Sequence, residues 1–292
     1  MATPLLKPGA RVAVVSPSGV HDQTRLARGL ERIREWGLEP VLGRHVEARF
    51  RYTAGTVAQR AEDLCWALTD PTIDAAWFTR GGFGTAHLLE AIPWEALDGR
   101  PVIGFSDATA LFTAMAARGV SGAVHGPVLH SLADHPDERS LARLRRLLLE
   151  GGAEVLAGRQ VAGPPVATEG PLVGGNLCVL ASLAGTPFAP CADGSILLLE
   201  EIGERPYQVD RLLTQLARSG ALDGVRGVAL GEFIAPRHPA DADIDMTEVL
   251  HDLLEPLGVP VVADLPIGHG AANAAVRLGA RVRLDGEGLH VG

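Results

Sequence analysis

Three polar residues stand at the ends of apolar runs: Ser106, Glu200 and His269. A serine hydroxyl is a weak nucleophile until a base takes its proton. An imidazole does that when a carboxylate holds its tautomer and stabilises the imidazolium. One residue of each kind, in the order serine, acid, histidine, is a set capable of acyl transfer through a covalent intermediate. The serine lies in Pro101–Ala110, P-V-I-G-F-S-D-A-T-A, where a short apolar run meets Gly104, Ser106 and Asp107 before a helix-forming stretch, Ala108–Arg118. Strand, sharp turn and helix would lift the hydroxyl off the sheet and offer free N–H groups to a developing oxyanion. Position 108 is Ala rather than the second glycine of a G-x-S-x-G elbow. The competing reading makes Ser106 or Asp107 a helix N-cap. At the acid, Glu201 adjoins Glu200, and either carboxylate could orient the histidine.

A second turn, Arg80-Gly81-Gly82-Phe83-Gly84, follows the apolar run Ile73–Thr79. Such a turn lets backbone N–H groups approach a ligand closely. His87 occupies the third glycine position of a dinucleotide fingerprint, which speaks against that use. The spacing suits an oxyanion or carboxylate, with Arg80 as partner for an anionic group; the alternative is a tight turn with Arg80 solvated. His125, His130 and His135 recur every five residues without sharing a helical face or a carboxylate, so they read as surface or hydrogen-bonded histidines rather than metal ligands. The arginines of Asp137–Glu150 (Arg139, Arg143, Arg145, Arg146) read as the solvated face of an amphipathic helix.

The elements that must position these residues follow from periodicity. Arg11–Ser16, a helix over Thr24–Trp36 and Glu39–Leu42 form a β-α-β opening, which predicts a parallel sheet. A helix over Ala58–Leu68, the strand Ile73–Thr79, a helix from Thr85 to Ile92 and a strand near Ala123 continue it. Gly151–Gly170 loses periodicity and reads as a linker, giving an α/β domain over 1–150 and a second domain over 171–292. The second domain alternates again: helix Leu177–Ala184, strand Ser195–Glu200, helix Tyr207–Ser219, strand Gly227–Phe233, helix Thr247–Leu257, strand Pro260–Ala263, the loop Leu265–Gly270, and strands Ala275–Leu278 and Ala280–Leu284.

Composition narrows the class. The 292 residues are 47% hydrophobic and 21% charged, as in a globular chain. The net charge of −9, with no basic stripe, argues against nucleic acid. Cys65, Cys178 and Cys191 form no C-x-x-C pair, which suits a reducing compartment and offers no zinc site. Without a cleavable signal pattern or a spanning apolar run, the expectation is a cytoplasmic protein with no membrane partner.

The ordered pieces Arg80-Gly-Gly-Phe-Gly84, Gly104-Phe-Ser-Asp107, His125-Gly-Pro127, Gly174-Gly-Asn176, Glu200–Arg211 and Gly268-His269 resemble the LD-carboxypeptidase family of serine peptidases, which includes the microcin C self-immunity peptidases. The resemblance spans about Arg11 to Arg283. It implies an N-terminal parallel-sheet α/β domain carrying the serine and a C-terminal mixed α/β or barrel-like domain carrying acid and histidine, with the site between them. It implies Ser106 as nucleophile, His269 as base and then acid, and Glu200 as orienter, although the family's usual Glu-Asp reads Glu200-Glu201 here. The oxyanion hole would use the N–H groups of Asp107 and Gly82, and Arg80 and Phe83 would contact substrate. Phe83 and Phe105 stand where tyrosine is frequent. The implied reaction is release of D-alanine from a murein tetrapeptide by a metal-free, cofactor-free homodimer in cell-wall recycling. The rival within the family is cleavage of peptidyl-nucleotides of the microcin C type. The rival outside it is a non-catalytic cleft-binding protein.

Overall fold

The computed structural model describes residues 3–134, 137–241 and 243–292, and His135 lies outside them. It divides into two compact units. The first runs through Gly152 and takes back Ala274–Arg277; the second holds Ala153–Asn273 and Leu278–Gly292.

In the first unit, Arg11–Val15 (β1), Glu39–Leu42 (β2), Ala75–Phe78 (β3), Val102–Gly104 (β4) and Ala123–His125 (β5) form a parallel sheet in the order β2-β1-β3-β4-β5. The returning Val276–Arg277 pairs antiparallel with β5 at the far edge. The helices are Gln23–Glu35 (α1), Val57–Thr69 (α2), Thr109–Ala117 (α3), Leu129–Leu132 (α4) and Glu138–Leu149 (α5). Continuous apolar strands such as β3 are what a parallel sheet covered on both faces requires. Asp22 caps α1 by accepting the Arg25 N–H, and Leu26, Leu30 and Ile33 turn its apolar stripe inward. Thr56 and Gln59 close a capping box on α2. Val12, Val14, Ile33, Trp77, Ile103 and Leu144 share the core.

Two local details are added by the structure. The helix expected after Gly84 is present over Thr85–Ala91 and takes the tighter 3₁₀ form. On α5, Arg143 is buried and donates through Nε to the carbonyl of Ala275 at 2.9 Å, so the returning strand takes one arginine of the face expected to be solvated.

The second unit is built on Glu154–Ala157 (β6), Arg159–Ala162 (β7), Thr168–Asn176 (β8), Ile196–Ile202 (β9), Gly227–Ile234 (β10) and Val261–Ala263 (β11). The chain then crosses as Val276–Arg277 (β12) and returns as Arg281–Asp285 (β13) and Gly288–Val291 (β14). The order is β6-β14-β13-β8-β9-β10-β11-β7: β8 to β11 run parallel and the flanking pairs antiparallel, giving a mixed α/β sheet. Leu177–Leu183 (α6), Pro206–Arg218 (α7) and Met246–Leu254 (α8) pack over it, with Leu180, Leu199, Leu213, Leu230 and Leu254 in the core.

The segment 151–170, expected as a linker, carries β6, β7 and the start of β8 within this sheet. Strands Glu154–Ala157 and Arg159–Ala162 are only four residues each and form the two edges of the sheet, where most of their side chains stay exposed or half-buried, so they carry no long buried apolar run. Strand β8 was hidden by Gly170, Pro171, Gly174 and Gly175, residue types depleted from strands. No helix among the described residues is long and apolar enough to cross a membrane.

Candidate active site

In the first unit the chain leaves β4 and enters a 3₁₀ turn, Ser106–Ala108, which feeds α3. Ser106 has φ +62°. A non-glycine residue in the left-handed region stores about 1–3 kcal/mol and persists where the surroundings over-determine it, as at a nucleophile on a strand-to-helix turn. Neither Ser106 nor Asp107 caps the following helix, since α3 has no side-chain cap. The Asp107 carboxylate is instead buried and accepts from Ser18 Oγ at 2.6 Å, Thr85 N at 2.9 Å and Thr85 Oγ at 2.7 Å. It ties together the segments that follow β1, β3 and β4. Buried Arg60 works behind them, donating to the carbonyls of Pro17, Gly55 and Gly84.

The glycine-rich turn presses on the serine. A Cβ on Gly81 would stand 2.9 Å from Ser106 Cβ and 3.0 Å from its Oγ, so only glycine permits this approach. Gly82 follows with φ +120°. Phe83 is exposed and meets Tyr52 and His87 edge-on, at centroid distances of 5.9 and 5.2 Å. Arg80 is half-buried, and its Nη1 donates to the Val20 carbonyl at 2.9 Å. His125 is buried against the edge of Phe105.

In the second unit, Glu200 and Glu201 lie side by side near the end of β9 and face opposite sides of it, as pleating dictates. Glu200 is fully buried, and His269 Nδ1 donates to its Oε2 at 2.6 Å. That bond fixes the tautomer with Nε2 as the basic atom. Glu200 Oε1 is buried without a hydrogen-bond partner. Gly268, with φ +136°, carries His269 over the strand; a Cβ there would lie 3.1 Å from Glu200 Oε2.

Glu201 accepts from Cys178 N at 2.7 Å, Ile202 N at 2.8 Å and Asn176 Nδ2 at 3.3 Å. Burial pushes its carboxyl above the usual range despite those bonds. It therefore anchors α6, and Glu200 is the carboxylate on the histidine.

Glu232 belongs to this cluster and was not anticipated. It accepts the Gly270 N–H at 2.6 Å. Burial first, and then the nearby Glu200, push its carboxyl upward. It lines a cavity of about 490 Å³ with Leu230, Phe233, Leu250 and Leu265. The only sequence signal was an acid inside the apolar run Gly227–Phe233.

The pattern of the LD-carboxypeptidase N-terminal domain matches residues 12–126, and that of the C-terminal domain matches residues 169–284. A murein tetrapeptide carboxypeptidase of Pseudomonas aeruginosa is 39% identical, over 96% of this chain and 94% of its own. The chain belongs to the LD-carboxypeptidase family. A Synechocystis relative is 41% identical over 97% of this chain and 93% of its own. The crystal structure of a muramoyltetrapeptide carboxypeptidase from Oxalobacter formigenes superposes with a TM-score of 0.87 at 29% identity, covering 97% of this chain and 99% of that one. As an LD-carboxypeptidase, the protein is a serine-type peptidase, a hydrolase acting on peptides. The matched segments contain Ser106 in one pattern and both Glu200 and His269 in the other.

Proposed function

We propose that this LD-carboxypeptidase hydrolyses the L,D peptide bond of murein tetrapeptides and releases the terminal D-alanine, with Ser106, His269 and Glu200 as its triad. The observation that carries this reading is the 2.6 Å bond from His269 Nδ1 to the buried Glu200 carboxylate, which leaves Nε2 as a base. Ser106 Oγ attacks the scissile carbonyl while His269 Nε2 takes its proton. The tetrahedral oxyanion accepts from the N–H groups of Asp107 and Gly82, each such donor being worth about 3 kcal/mol. His269 returns the proton to the leaving amine, and water clears the acyl-enzyme by the same route. Arg80 and Phe83, flanking the Gly81-Gly82 turn, contact the substrate. The P. aeruginosa relative's name supports the substrate class. The family resemblance leads us to propose a cytoplasmic homodimer; sedimentation at twice the chain mass would bear out the dimer, and recovery of the protein in the cytoplasmic fraction would bear out the location.

The test is mass-resolved hydrolysis of a murein tetrapeptide. Wild type is expected to remove one D-alanine, while Ser106→Ala and His269→Ala remove none above background. Release by Ser106→Ala at the wild-type rate overturns the nucleophile. No release by wild type, with cleavage of a peptidyl-nucleotide instead, overturns the substrate.

A further inference from the structure

A cavity of about 590 Å³ opens in the first unit among Val20, His21, Asp22, Arg49, Arg80 and His130. Its walls follow β1 and β3 and include the start of α4. In the order β2-β1-β3, β1 connects onward to β2 on one side while β3 connects to β4 on the other. The crevice outside the carboxyl ends of two such strands is where open parallel sheets bind ligands.

The lining says what kind of ligand. Two guanidinium groups and two imidazoles face this space in a chain of net charge −9, and α1 begins beside it at Gln23. Arg80 Nε and His130 Nε2 are buried without a hydrogen-bond partner. Burial lowers the pKa of His21 and of His130; Arg49 and Arg80 lower His21 further, and Arg25 and Arg80 lower His130 further. The acids acting on these histidines are Asp22 and Glu47. Asp22 is engaged as the cap of α1, accepting the Arg25 N–H at 2.9 Å. An entering carboxylate would accept hydrogen bonds from these buried donors and relieve the repulsion among the cations.

The location says which carboxylate. Arg80 immediately precedes Gly81, whose Cβ position lies 3.0 Å from Ser106 Oγ. In a peptide losing one residue, the free carboxylate stands one residue beyond the carbonyl under attack. We propose that this cavity is the subsite for the substrate's free terminal carboxylate, with Arg80, Arg49 and His130 as its partners. This rests on the reading of Ser106 as nucleophile.

The test uses calorimetric binding to full-length Ser106→Ala protein of a murein tetrapeptide and of its C-terminal carboxamide. The acid is expected to bind at least tenfold more tightly than the amide. Adding Arg49→Gln, at an exposed position, or His130→Gln should shrink that ratio below threefold with the amide's affinity kept. Arg145→Gln, on an exposed face of α5, should leave the ratio intact. A ratio unchanged by both pocket substitutions overturns the subsite. Acetate or inorganic phosphate binding as tightly as the peptide acid also overturns it, in favour of a free-anion site. Failure of the nucleophile reading would appear separately, as turnover by Ser106→Ala, while the acid-to-amide ratio is read from binding alone.

Discussion

His269 Nδ1 lies 2.6 Å from Glu200 Oε2, and the Glu200 side chain is wholly shielded from solvent. Its neighbour Glu201 points the other way and holds the first turn of α6. Strand pleating sets the two adjacent carboxylates on opposite faces, and the segments packed on each face give them different roles. Glu200→Gln should leave KM within about threefold and lower kcat by about 10³–10⁴, since the amide no longer holds the productive tautomer. Glu201→Gln should keep kcat within about threefold but cost about 1–3 kcal/mol of stability, because its NH₂ would face a backbone donor. Steady-state kinetics and urea melts separate the two; a kcat loss at Glu201 matching that at Glu200 would refute the division.

The left-handed backbone of Ser106 makes a second prediction. Ser106→Gly and Ser106→Ala both remove the nucleophile and should both be inactive. The glycine variant should nevertheless be about 1 kcal/mol more stable than the alanine variant, because a Cβ is costly at φ +62°. Chemical denaturation checks this, and an alanine variant of equal or greater stability would show that the turn is unstrained.

Glu232 holds the backbone of the histidine loop at Gly270. Glu232→Ala should release that N–H and lower kcat about tenfold, the equivalent of about 1.4 kcal/mol. Glu232→Gln keeps an acceptor oxygen and should recover most of the loss. Equal defects in both variants would assign the role to charge rather than to the hydrogen bond.

The histidines of the first unit bear on acid stability. Burial, reinforced by nearby arginines, holds His21 and His130 below the ordinary value of 6.5. A lowered histidine binds more protons unfolded than folded, so its contribution is complete above the unfolded value and drains as pH falls below it. The double variant His21→Gln/His130→Gln should therefore show a flatter loss of stability from about pH 7 to pH 5 than wild type. Urea midpoints across that range test it, and parallel curves would exclude the two side chains as the source.

The β-α-β opening, the turn at Ser106, the glycine-rich turn and the acid-to-histidine order were readable from residue types, because hydrophobic period and turn chemistry are local properties. Strands β6, β7 and β8 were not. The first two are four-residue strands and the third is rich in glycine and proline, so their strand character comes from pairing partners distant in the chain. For the same reason no local signal sends Val276–Arg277 back to the first sheet, where it pairs with β5. The choice between Glu200 and Glu201 is also tertiary, since alternation sets their faces apart but only the packed loop at Gly268 brings His269 to one of them. Glu232 and the cationic cavity around Arg80 belong there too: their chemistry lies in juxtaposition, which residues far apart in the chain acquire only on folding.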